Sequence, residues 1–298
     1  MRLPLIAAPM FRVSGVDLVV AACRSGVIGA FPTANCRTAE ELDAWLGQIT
    51  VALHGQDAAP WCANLIVHRS NPRLQDDLAV LLRHRPELVI TSVGSPAAVI
   101  GSLHDAGALV LADVASIRHA ERAVAAGADG LVLLTAGAGG QTGWLNPFAF
   151  VRAVRRFFTG PLVLAGGIGD GQALAAALTL GCDLAYMGTR FIATTESMAP
   201  PAYKQMLVDS TADDVLLTRA FTGLPTNMLR PSILTAGLDP DALPEHGGVD
   251  VATDLAADRP RRWRDIWSAG HSVSAVSNIL AVATLIHAIT AEYQAAIR

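Results

Sequence analysis

Residues 161–191, "PLVLAGGIGDGQALAAALTLGCDLAYMGTRF", decide the fold. The stretch begins with an apolar run ending at Ala165, turns through the glycines of "AGGIGDG", continues in an alanine- and leucine-rich segment that stops at Gly181, and closes on a second apolar run, "DLAYMGT". An apolar run without polar alternation marks a strand buried on both faces, as in a parallel sheet covered by helices. Gly181 sits where a helix stop is needed. The order is therefore strand, loop, helix, strand.

Outward from this stretch the same unit recurs. Apolar runs at 4–9, 26–31, 61–67, 87–94, 108–114, 129–135, 161–167 and 183–189 are each followed by small or turn residues and a longer helical segment. "ASIRHAERAVAAGAD" repeats the helix pattern, with an arginine-rich outer face and a stop at Gly127. Eight units predict an α/β chain closed into a (β/α)8 TIM barrel. An open doubly wound sheet grows from the same repeat, but no strong G-x-G-x-x-G follows the first run. From Thr195 the rhythm breaks. The barrel is expected over 1–194, and 195–298 as a C-terminal helical elaboration over its mouth that completes the same domain, with too little apolar sequence to fold alone.

Composition agrees with a large buried core: 52% hydrophobic and 16% charged residues over 298 positions. A net charge of -4 without a basic stripe argues against nucleic acid as a partner. The cysteines, at 23, 36, 62 and 182, form no CxxC pair and have no histidines at ligand spacing, so no metal site is expected and a reducing cytoplasm fits best. The start, "MRLPLIAAPM", lacks a full signal-peptide core. The apolar segment "NILAVATLIHAITAEYQAAI" is interrupted by His287, Glu292 and Gln294, and is expected to pack on the domain rather than to cross a membrane.

In such barrels the loops after the seventh and eighth strands often bind phosphate through backbone N–H groups. Here those loops offer Gly166, Gly167 and Gly188, where the missing Cβ allows close approach, and the Thr189 hydroxyl. With "APM" after the first strand, "ANL" in the third, "AGAGGQTG" after the sixth and "IWSAG" in the tail, the run through strands seven and eight resembles the nitronate monooxygenase family of FMN-dependent barrels.

The resemblance implies bound FMN, its phosphate at Gly167 and Gly188–Thr189 and its ring across the barrel mouth near Ala8, Pro9, Met10 and Asn64. It adds Gly139, Gly140 and Asp113 to the cofactor-facing set. The implied reaction is oxidation of an alkyl nitronate with O2 to a carbonyl compound and nitrite. Relatives of the family also include reductases that use NAD(P)H with a quinone or enoyl acceptor, and loss of catalysis is a third reading. The partner is a small molecule in each catalytic case; a homo-oligomer is compatible.

Two positions depart from the family pattern. The family's A-G-G-H-x-G reads "AGGQTG" here, and Gln141 can exchange hydrogen bonds but cannot act as a base. Some relatives have lysine where this chain has Asp113, and Lys204 is the sole lysine. Asp113 equally suits a helix cap. His271, in "WSAGHSV", is expected to approach the flavin on a loop turned at Gly270 and anchored by tryptophans, and so to supply a proton-transfer group.

Overall fold

The computed structural model describes residues 1–245 and 266–298. Eight parallel strands close a barrel: β1 (Leu5–Ala7), β2 (Ile28–Pro32), β3 (Trp61–Ile66), β4 (Leu88–Ser92), β5 (Leu109–Val114), β6 (Gly130–Leu134), β8 (Leu162–Ala165) and β9 (Leu184–Met187). Seven of them fall within the apolar runs, and β2 extends one residue past its run, to Pro32. β1 pairs with β2 and, through Leu5 with Ala185 and Ile6 with Tyr186, with β9, so the ring has no free edge. The remaining strands, β7 (Gly140–Gln141), β10 (Val215–Thr218) and β11 (Thr226–Leu229), make a small antiparallel sheet in the order β10, β11, β7.

Period-two alternation divides each barrel strand between two cores. Ile6, Ile28, Cys62, Ile90, Leu111, Val132 and Val163 fill the barrel interior. Their neighbours, such as Leu5, Ala63, Val89, Val110, Leu131 and Leu162, face the helical ring. The helices begin on caps that the sequence supplies: Thr38, Ser116 and Asp170 accept from the N–H groups of Glu41, His119 and Ala173. Each such cap is worth about 1 kcal/mol. Helix Gly171–Leu180 ends at Gly181 in the left-handed conformation, φ 114°.

The last helix, Val282–Ala296, docks on the outer ring beside helices Gly171–Leu180 and Val16–Arg24. Contact with the former is backbone to backbone: a Cβ on Gly171 would lie 2.1 Å from the Tyr293 nitrogen, and the Gly171 N–H donates to Glu292 Oε2 at 2.9 Å. No helix among the described residues is long and apolar enough to cross a membrane. All four cysteines are free and buried, and no cluster that could hold a metal occurs among the described residues.

Candidate active site

The cavity at the C-terminal end of the barrel follows from the alternation that builds the interior. Two residues beyond Cys62, Ile90, Leu111, Val132, Val163 and Leu184 stand Asn64, Ser92, Asp113, Leu134, Ala165 and Tyr186, and all six line it. Its volume is ≈ 280 Å³. The walls above them come from the loop after β1 (Ala8, Pro9, Met10), the loops after β6, β8 and β9, and the tail segment 266–270.

The loops after β8 and β9 place a row of backbone donors beside this space. The N–H groups of Gly166, Gly167, Gly188 and Thr189 make no hydrogen bond with the described residues. Gly167 has φ +77°, and a Cβ there would meet nothing within 4 Å, so the absent side chain leaves room at the cavity wall. Gly166 is small for a different reason: a Cβ would stand 2.5 Å from Thr135 Oγ1. Thr189 Oγ1 accepts the Gly270 N–H at 2.9 Å, which leaves its own O–H free to donate.

Beside these loops, Gly139 and Gly270 let two backbones touch. A Cβ on Gly139 would sit 2.6 Å from the Gly270 nitrogen. The Asn227 amide donates to Ala138 O at 2.7 Å and fixes the same loop from β11. Gly140, at φ +65°, turns the chain into β7, where Gln141 pairs with Thr226. Gln141 therefore lines the cavity from a strand rather than from a free loop. Asn64 is buried, donates to Ile90 O at 3.3 Å and accepts from Ser92 Oγ at 3.3 Å. Its second amide N–H is left for a ligand.

Asp113 is the ionisable group of this cavity that titrates near neutrality. Its Oδ1 is buried with no hydrogen-bond partner, and burial pushes the carboxyl up to about 7. Tyr186 and Tyr203 also line the cavity, but burial raises both, Tyr203 to about 12. Tyr203 donates to Ser268 O at 2.5 Å and stacks on Trp267 at 4.9 Å, which anchors the tail over the mouth. No histidine, lysine or arginine lines this cavity among the described residues. Lys204 is directed elsewhere, its Nζ donating to Ser197 O at 3.0 Å.

Of the site residues expected from the sequence, Ala8, Pro9, Met10, Asn64, Asp113, Gly139, Gly140, Gln141, Gly166, Gly167, Gly188 and Thr189 come together around one cavity. His271 does not. Its N–H donates to Gly137 O at 2.9 Å, its ring lies against the outer face of Gly137, and its side chain is exposed. The turn that starts after Gly270 gives the cavity Ser272 instead, because the chain crosses the mouth with the backbone of Ala269 and Gly270 inward. Substituting His271→Gln is expected to leave both turnover and its pH profile unchanged; loss of a neutral-range limb in rate measurements would overturn the placement. Trp263, expected as a second anchor, lies outside the described residues.

Ser92, Tyr186 and Tyr203 were missed. The first two share the inward parity of Asp113 and Asn64, a signal the sequence carries once strand registers are known. Tyr203 reaches the site from helix Pro201–Asp209, which nothing local announces.

A family model described as nitronate monooxygenase matches residues 62–292. A nitronate monooxygenase of Paraburkholderia phytofirmans is 29% identical over 84% of this chain and 80% of its own length. A hydroxy-methyl-oxo-octahydroindene-carboxyl-CoA dehydrogenase of Mycobacterium tuberculosis is 27% identical over 78% of this chain and 64% of its own. The solved nitroalkane oxidase of Streptomyces ansochromogenes superposes with a TM-score of 0.83 at 26% identity, covering 99% of this chain and 96% of that one.

Proposed function

The chain belongs to the nitronate monooxygenase family, and from that premise we propose that it is an FMN-dependent enzyme oxidising alkyl nitronates with O2 to a carbonyl compound and nitrite. The coarser statement, an oxidoreductase of a flavin-using family, follows from membership. The finer one rests on the chemistry of the lining: Gln141 in the family's histidine position, and no basic side chain among the described residues around the cavity.

The residues present fit FMN. Four unbonded N–H groups and the open face of Gly167 suit an anionic phosphate. The Asn64 amide and the orphaned Asp113 carboxyl suit the polar edge of a ring, with Ala8, Pro9 and Met10 as its apolar support. When bound, FMN supplies the electron-accepting and oxygen chemistry. The chain's own task is then to orient the substrate and exclude water. A nitronate has already lost its α-proton, so the site needs donors to hold an anion rather than a base to make one. Gln141 supplies two amide N–H donors from a position fixed by β11. Asp113, neutral below about pH 7, adds a donor without adding repulsion.

Anaerobic mixing tests this reading. A nitronate is expected to bleach the flavin of the purified protein and, in air, to yield nitrite; bleaching by NADH or NADPH alone, with none by nitronate, would replace it with the reductase reading. Gln141→Ala should remove a hydrogen bond to a charged partner, about 1.5–3 kcal/mol, and slow turnover roughly ten- to hundredfold without a new pH step. Gln141→His should extend activity to neutral nitroalkanes. Steady-state rates on both substrate forms check this, and an unaltered rate in both variants removes Gln141 from the site.

One observation favours a second reading, in which a larger reactant also exchanges electrons with the same flavin. A cavity of ≈ 1000 Å³ adjoins the first and shares Val93, Asp113, Leu134, Gln141 and Leu224 with it.

A further inference from the structure

This second cavity is far larger than a short nitronate needs and stands at the upper end of ligand-pocket volumes, about 300–1,000 Å³. Its inner wall, at Asp113 and Gln141, is the outer wall of the flavin cavity. Two arginines line the second cavity. Helix Ile117–Ala125 contributes Arg122, one turn beyond His119, and Arg219 follows β10. Neither arginine forms an ion pair or a side-chain hydrogen bond with the described residues. Among the described residues, Glu245 and Asp113 are the carboxylates that line this space.

Trp144 completes the chemistry. It lines the same cavity and is 76% exposed, so its indole offers a flat apolar face to solvent. Guanidinium groups bind phosphate oxygens through paired N–H donors, and an indole face accepts a flat heteroaromatic ring. A ring linked to two phosphates satisfies both sets of groups at once.

We propose that the second cavity binds the adenosine diphosphate portion of a reactant, with Arg122 and Arg219 on the diphosphate and Trp144 against the adenine, so that the reactive end extends toward Gln141 and Asp113. This rests on the second reading above, and it is compatible with nitronate oxidation because both reactants would meet one flavin. Pyridine dinucleotides and coenzyme A share the adenosine diphosphate group, and the site recognises that shared part.

Calorimetric titration of ADP into the flavin-loaded protein tests the site without turnover. One ADP per chain is expected, with affinity falling as salt rises. Arg122→Ala combined with Arg219→Ala should weaken binding roughly ten- to hundredfold, as for loss of charged hydrogen bonds, with flavin content unchanged. ADP should also quench a part of the tryptophan fluorescence that Trp144→Ala removes. Titrations of NADH, NADPH and coenzyme A then separate the sources: the true carrier binds more tightly than ADP and loses the same factor in the arginine double variant. Absence of binding by all four ligands, or binding indifferent to both arginines, overturns the proposal. A protein that binds ADP in this way yet holds no flavin would defeat the functional reading and leave this site standing.

Discussion

Gly188→Val is expected to yield a folded protein that retains less than about a tenth of the wild-type flavin, a loss of at least about 1.4 kcal/mol in binding. Gly188 has an unstrained backbone, φ -109°, so substitution there does not twist the chain. A Cβ would lie 3.4 Å from Met10 Sδ and 3.7 Å from Ala8 Cβ, which is ordinary contact. Alanine is thus nearly accommodated, whereas the two methyls of valine must enter the space beside the Gly188 and Thr189 N–H groups. The flavin-to-protein absorbance ratio after saturation with FMN measures the effect, with thermal melting as the control for folding. Full flavin content in a normally folded variant would place the phosphate elsewhere, and Gly188→Ala should fall between the two.

The second large effect belongs to Asp113. A carboxyl whose ordinary value is 3.8 and whose folded value is about 7 holds its proton more tightly in the native state than in the unfolded chain. Between about pH 4 and pH 7 the native state therefore binds more protons, and stability falls as pH rises through this window before levelling off. The displacement corresponds to an upper bound of about 4 kcal/mol. Asp113→Asn keeps the shape and cannot ionise, so in flavin-free protein it should abolish this slope and be the more stable form at pH 8. Cys62 and Tyr186, the titratable neighbours that sense Asp113, are both raised further by burial and stay neutral across the window. Denaturant unfolding of both proteins at pH 5, 6, 7 and 8 gives the comparison. A stability difference that does not change with pH would mean that Asp113 is solvated.

The barrel was legible because its physics is local. A strand covered on both faces must be apolar throughout, and each of the eight runs that met this condition marks one barrel strand, β2 alone passing its run by one residue at Pro32. Gly127 and Gly181 announced two helix ends for the same reason, since a left-handed residue follows each helix. The glycines of the last two barrel loops mark where unbonded backbone N–H groups stand beside the cavity.

What escaped the sequence was non-local. β7 is two residues long and exists only because β11, more than eighty positions later, pairs with it. No local pattern encodes such a strand, so the sheet that fixes Gln141 was invisible. The second cavity has the same character, being assembled from a helix, a strand end and a loop far apart in the chain. His271 shows the finer limit: its segment lines the cavity through residues 266–270, but which residue of a tight turn faces inward depends on the contact between Gly139 and Gly270.

Closure of the barrel through β1 and β9 has a consequence for synthesis. Leu5 waits for Ala185, and the first helix waits for a partner that ends at Ala296. At ribosomal rates of about 5–20 residues per second, β1 leaves the tunnel roughly 10–35 seconds before the strand that will cover its bare side. During that interval the nascent chain displays an unpaired parallel edge of Leu, Ile and Ala, the surface on which neighbouring nascent chains can template. Soluble yield is therefore expected to fall when elongation is slowed or chaperones are withheld, because the ring closes only at β9.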